Sequence, residues 1–409
     1  MHFEIPYGKK FIGLDIPDEN IAPLIYKDGS KEAPVDEDKV ISDALKNPVS
    51  ADSLSNLAYS KSSACILVSD ITRSCPSYKF LDRIIKELKK AKVKDIKILF
   101  GLGIHRKHSE EEKIKLAGKF AAENARLIDF DPENVKLAGT TSFGTPVEVS
   151  REVLSSDFLI ASGNIEYHYF AGYSGGAKAL MPGVCSKKTI RANHSMMLET
   201  DSVAANFISN PVRQDIEEAG RLVHIDYLFN VILDDSKKII AAVSGKNNEA
   251  FKKGIKIYDS IYEINVEGKA DLVITSPGGY PKDINLYQAQ KALDNIKGII
   301  KDGGKIIFTA ACNEGYGEEM FEEWMQEVTN YEKLSQKIKQ NFVLGGHKAV
   351  AISKLLTKSE VFIYSDFEDF ERTGFRRINN IQDFIDILVE KEKKIKIAVV
   401  PNGRFVKSI

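Results

Sequence analysis

A repeating order narrows the folds open to this chain more than any other feature. A short apolar run comes first, then a loop bearing glycine or a polar group, then apolar residues at three-and-four spacing. ACILVSD (Ala64–Asp70) is such a run, ending on a polar group. SYKFLDRIIKELKKAK follows and sets Phe80, Leu81, Ile84, Ile85 and Leu88 on one helical face. DIKILFGLG (Asp95–Gly103) is the next strand. SEEEKIKLAGKF then predicts a helix with Ser109 as N-cap and an acidic first turn. DFLIASGNI (Asp157–Ile165) is a third strand. Repeated strand–loop–helix units of this kind build an α/β sheet whose strands are mostly parallel. DYLFNVILDDSKKIIAAVSG (Asp226–Gly245) breaks the rhythm, and its two β-rich runs predict an antiparallel hairpin.

A helical stretch over Glu249–Ile264 precedes VEGKA, after which the alternation restarts. ADLVITSPGGY, GGKIIFTAAC, EVFIYSDF and IKIAVVPNG read as strands; LYQAQKALDNIKGII, EEMFEEWMQEV and NIQDFIDILVEKEKK read as helices. A chain of 409 residues is long enough for two or three domains. The expectation is a boundary near Gly268. Residues 1–268 would form an α/β domain that includes the hairpin. Residues 269–409 would form a Rossmann-like α/β domain, the last few being free to return to the first. Two such domains would face a central cleft, with function on loops at the strands' C-terminal ends.

Charge excludes some classes. Against 57 basic residues stand 58 acidic ones, so nothing favours capture of nucleic acid or of an anionic membrane. No apolar run approaches the ~18 residues of a membrane span. MHFEIPYGKKFIGLDIP lacks a basic stretch followed by an apolar one, and Cys65, Cys75, Cys185 and Cys312 show no CxxC pairing. A cytoplasmic protein with reduced thiols is expected. No motif in the sequence specifies an oligomeric state.

Several strand ends carry groups suited to chemistry. SDITRSCP places Asp70 and Arg73 after the first strand; an arginine fork binds carboxylates at two points. GLGIHRKHS places His105, with His108 nearby, after the second. EYHYFAGYSGGAKALMPG places His168 after the third, and RANHSMML puts His194 on or near a helix. Histidine can give or take a proton near neutral pH. Any one of them alone also reads as an ordinary loop histidine. In the turn Ser174, Gly175, Gly176, two glycines let the backbone approach a ligand and offer N–H groups to an anion. The turn lacks the Walker spacing GxxxxGK followed by Ser or Thr. Lys178 precedes apolar ALMPG, which would shield its amine and suit it to covalent attachment; a tight turn before a helix, with an ordinary surface lysine, is the alternative reading. Gln288 and Lys291 share a helix face beside Tyr287, as carboxylate-binding groups or as a solvated face.

Together these motifs resemble the nickel-pincer-nucleotide lactate racemase family. The resemblance rests on DxTR at Asp70–Arg73, GxHR at Gly103–Arg106, HxFxGxSGGxK at His168–Lys178, the histidine at 194 and LYQAxKAL at 286–293, in family order. It implies a pyridinium mononucleotide that holds nickel through sulfur and carbon. Lys178 would attach it covalently and His194 would complete the metal's coordination. His105 and His168 would be the acid/base pair on opposite sides of a 2-hydroxy acid. Asp70, Arg73, Tyr287, Gln288 and Lys291 would surround that substrate. Ser174, Gly175 and Gly176 would receive the nucleotide phosphate, and enzymes that make the cofactor would be partners. Ser74 departs from the pattern, standing where proline is common, with Pro76 two positions on. The reaction implied is racemisation or epimerisation, of lactate by default, by hydride transfer through a transient 2-keto acid. A zinc-dependent hydrolase using His105, His168 and His194 is a second reading. A catalytically inactive carboxylate- or nucleotide-binding homologue is a third.

Overall fold

The computed structural model describes residues 1–26, 35–73, 75–103, 105–234, 236–262, 264–266, 268–340, 342–343, 345–370 and 373–403. Contacts divide the chain into two units: Asp28–Ile261, and Met1–Lys27 joined with Tyr262–Ile409.

The first unit is built on a six-stranded sheet. From one edge to the other its strands are Ile239–Gly245, Tyr227–Leu233, Leu159–Asn164, Ser63–Ser69, Asp95–Gly101 and Arg126–Asp129. Every neighbouring pair is parallel except the first, which is the antiparallel hairpin expected from Asp226–Gly245. Ala64, Cys65, Ile66 and Leu67 are all fully buried, as a parallel strand covered on both faces requires. Helix Leu81–Lys90 turns Leu81, Ile84, Ile85 and Leu88 into the cluster that holds Ala64, Ile66 and Val68. Ser109 caps helix Glu110–Ala117, accepting from the Glu112 N–H while the Glu112 carboxylate accepts from the Ser109 N–H. That reciprocal pair is a capping box.

The second unit carries a five-stranded, all-parallel sheet: Arg376–Arg377, Glu360–Tyr364, Ile300–Thr309, Ala270–Thr275 and Ile397–Val400. Two expected borders shift. Helix Asn247–Tyr262 stops before Ile264, which instead opens a short strand, Ile264–Val266, paired with Leu24–Tyr26. Strand Ile300–Thr309 begins ahead of the GGKIIFTAAC run.

The domain assignment 1–268 and 269–409 also differs from the observed division. The N-terminal hairpin, His2–Tyr7 with Lys10–Asp15, belongs to the second unit. Ile5, Leu14 and Ile16 enter the apolar cluster of Leu272, Ile274, Ile397 and Val399. The Ala22 N–H donates to the Ile397 carbonyl at 2.8 Å. Strand Ile397–Val400 stays in this unit, and the last residues, 404–409, lie outside the described residues. All four cysteines are buried free thiols. Among the described residues no helix is long and apolar enough to cross a membrane.

Candidate active site

In the first unit the central strands run parallel, so their C-terminal ends lie at the same end of the sheet. Asp70 directly follows strand Ser63–Ser69 and is buried. Its Oδ2 lies 2.5 Å from Nδ1 of His105, which follows strand Asp95–Gly101. Thr72 donates its hydroxyl to the same carboxylate, and Arg73 Nε stands 3.6 Å from Oδ1. Burial raises the Asp70 pKa, but the His105 hydrogen bond and the Arg73 charge outweigh it, leaving the carboxyl below its ordinary range. A carboxylate can only accept, so Nδ1 of His105 carries a proton and the neutral ring has its lone pair on Nε2. Ser74 lies outside the described residues.

His108 has another task. Its ring is buried, its Nδ1 is 2.7 Å from the Asp129 carboxylate, and its Nε2 accepts from the Ile71 N–H at 3.1 Å. It therefore ties the end of strand Arg126–Asp129 to the loop carrying Asp70 and Arg73. Its sequence neighbourhood makes it look like a second acid/base candidate; only Asp129, ending another strand, and Ile71, in the loop after Ser63–Ser69, reveal the brace.

His168 ends the short strand Tyr167–His168, paired with Gly172–Tyr173. The Ala171 N–H donates to its Nδ1 at 3.2 Å. In the neutral ring the proton then sits on Nε2, the opposite tautomer to His105. Phe170 packs edge-on against both His168 and His194, with ring centroids 4.6 and 4.9 Å away. His194 lies near the end of helix Lys187–Ser195. Burial pushes its pKa down to about 3, and the Lys178 charge acts in the same direction, so these two residues are within electrostatic reach.

The Ser174–Gly176 turn does not offer the open row of amides expected of it. The Ser174 N–H donates to the Glu166 carbonyl, and the buried Gly176 N–H donates to Asn230 Oδ1 at 2.8 Å. Gly175 and Gly176 both have positive φ, at 83° and 62°. A Cβ would meet Asn230 Oδ1 at 2.6 Å from the first and Arg213 Nη2 at 2.6 Å from the second. Glycine is thus required by close packing against the chain itself. Arg213, fully buried beside Glu217, donates to the Tyr173 and Gly175 carbonyls and so fixes the turn that precedes Lys178. Lys178 sits half-buried in the one-turn helix Gly176–Ala179.

Tyr287, Gln288 and Lys291 belong to the second unit, in the first turns of helix Leu286–Ile296, capped by Asn285. Lys291 Nζ donates to Gln288 Oε1 at 3.1 Å. Lys348, which the motifs do not point to, is buried; its ammonium lies over the Tyr287 ring and donates to the Tyr287 carbonyl. The zinc reading finds no support: among the described residues no group of three or more His, Cys, Asp or Glu side chains could hold a metal ion.

Residues 7–206 match the lactate racemase N-terminal domain and residues 266–407 the lactate racemase C-terminal domain. The chain belongs to the lactate racemase family. It is an isomerase of the racemase type. It is 33% identical to a lactate racemase of Thermoanaerobacterium thermosaccharolyticum and 30% identical to one of Lactiplantibacillus plantarum, each match covering 98% of both chains. The structure of the lactate racemase apoprotein from Thermoanaerobacterium thermosaccharolyticum superposes with a TM-score of 0.92 at 31% identity, covering 100% of this chain and 99% of that one. A Thermotoga maritima protein shares the fold at a TM-score of 0.65 and 16% identity, over 91% of this chain and 99% of that one.

Proposed function

We propose that this member of the family racemises a 2-hydroxy acid, lactate by default, with a nickel-pincer nucleotide attached to Lys178, as a cytoplasmic enzyme loaded by the enzymes that make that cofactor. The observation that carries the reading is the Asp70–His105 pair, 2.5 Å apart at a strand end of a lactate racemase fold. The residues present fit the cofactor. Lys178 supplies an amine, and His194, neutral because its pKa is near 3, supplies an imidazole lone pair within electrostatic reach of that amine. Imidazole is a suitable nickel donor. When bound, the group supplies an acceptor for the substrate's α-hydrogen as hydride, which avoids a carbanion beside a carboxylate.

The chain's own residues do the rest. Asp70 holds His105 so that Nε2 faces the substrate with a lone pair and takes the hydroxyl proton. His168, on the other face, carries its proton on Nε2 and hydrogen-bonds the substrate oxygen. Acid/base groups are required on both faces because the two enantiomers present their hydroxyls oppositely. Arg73 pairs with the substrate carboxylate. The Ser174–Gly176 turn, pinned by Asn230 and Arg213, sets the position of Lys178.

The test is a panel of enantiopure 2-hydroxy acids read by chiral chromatography, with protein co-produced with the cofactor-making enzymes. Interconversion of at least one, with α-deuterium retained in the product, is expected. Loss of that deuterium to solvent rules out hydride transfer. Intact mass is expected to reveal an adduct that disappears in Lys178→Ala; an adduct that survives the substitution rejects the tether.

A further inference from the structure

Asn193 stands directly before His194 and is fully buried. Its side-chain Nδ2 lies 3.1 Å from the Val212 carbonyl oxygen and 2.8 Å from Oδ2 of Asp215. A carbonyl oxygen never donates, so this end of the amide is the NH2 and the other end is the oxygen. That oxygen, Oδ1, sits 3.0 Å from Nδ1 of His194. An amide oxygen only accepts. Nδ1 of His194 therefore carries the proton, and in the neutral ring the lone pair is on Nε2.

Asp215 is itself held still. It is fully buried on helix Pro211–Val223 and accepts the Thr141 hydroxyl at 2.5 Å and the Thr145 hydroxyl at 2.9 Å. Both threonines flank the turn between strands Val135–Thr140 and Pro146–Ser150. A hairpin and two helices thus converge to fix the orientation of one amide.

We propose that Asn193 and Asp215 are positioning residues for the metal centre. They dictate which ring nitrogen of His194 offers a lone pair, selecting Nε2, and they hold the ring against rotation. The proposal deepens the reading of His194 as the nickel ligand and rests on it. Partners that fix a ligating histidine through its second nitrogen are a general requirement of metal sites, and their loss typically weakens metal binding ~10–100-fold. Here the partner is an amide whose own orientation is imposed by a carbonyl and a carboxylate.

The apoprotein gives a readout that needs no cofactor. In protein labelled with 15N-histidine, the His194 ring signals are identified by their loss in His194→Gln. Nδ1 is expected in the protonated range and Nε2 in the unprotonated range. A protonated Nε2 with a bare Nδ1 in the wild-type protein overturns the proposal, whatever the variants do. In Asn193→Leu, and in Asp215→Asn, where the Asn193 amide gains freedom to turn over, the ring is expected to sample both tautomers. After co-production with the cofactor-making enzymes and dialysis against a chelator, nickel retention is expected to fall ~10–100-fold in both variants, with the Lys178 mass adduct still present. Wild-type tautomer and wild-type nickel retention in folded variants overturn the proposal. If His194→Gln itself keeps its nickel, the ligand assignment fails instead, and the tautomer measurement still stands by itself.

Discussion

Burial by itself would raise the Asp70 pKa, yet the His105 hydrogen bond and the Arg73 charge hold it below the ordinary carboxylate range. A group whose folded pKa is lowered contributes its stabilisation above the unfolded value, near ~3.9 for aspartate, and loses it as pH falls through the folded one. Asp70 is therefore ionised throughout the neutral range, and a pH–rate profile there does not report it. Asp70→Asn removes the fixed acceptor and lets the His105 ring change tautomer. kcat/KM should drop ~10²–10⁴-fold, equally in both directions, because enantiomers have equal free energies and the ratio is fixed by equilibrium. Initial rates from each pure enantiomer check this, and near-normal rates would remove Asp70 from the acid/base machinery. Asp70, His105 and His168 are legible in the sequence because each sits just past an apolar run. Asn193, Asp215 and the true role of His108 are not, since each depends on a partner that only the folded sheet brings near.

At the scale of the element, periodicity reports burial directly. Leu81, Ile84, Ile85 and Leu88 are all fully buried, as their spacing requires. Ile84→Ala should cost about 2–5 kcal/mol in urea unfolding; a loss well under that range would mean the helix is not a pillar of this core. Turns were harder. SGGAK resembles an anion loop because glycine is permissive for two reasons, ligand approach and close packing, and the sequence cannot separate them. The structure favours packing: at Gly176 a Cβ would meet Arg213 and Phe251. Gly176→Ala should therefore lower the melting temperature and reduce adduct formation on Lys178 together. Normal stability with loss of the adduct alone would restore the ligand-approach reading. Glu37 makes a further tie between elements. Its carboxylate accepts from Lys79 and from the Ile239 N–H, joining helix Glu37–Lys46 to the edge strand. Burial opposes ionisation there, but those bonds and the Lys79 charge leave its pKa lowered. Its contribution is thus present at neutral pH and is lost on acidification below the carboxylate range.

At the scale of the whole molecule the chain order misleads. Reading from the N-terminus, every motif up to Gly268 invites a single first domain. Yet Ile5, Leu14 and Ile16 complete a core whose other members, Leu272, Ile274, Ile397 and Val399 among them, come from beyond residue 270. Local pattern cannot show which sheet a hairpin covers, because any apolar face satisfies it. The consequence is asymmetric. Replacing both Ile5 and Leu14 with alanine removes buried methyl groups from the second unit and none from the first. Each substitution should cost about 2–5 kcal/mol. Amide hydrogen exchange read by mass spectrometry should then quicken in Ala270–Thr275, Ile300–Thr309 and Ile397–Val400. Protection in Ser63–Ser69 and Leu159–Asn164 should hold, since local opening follows the cooperative unit that is weakened. Equal deprotection of both sheets would mean that the two units unfold as one body, and that the division at residues 27 and 262 has no energetic meaning.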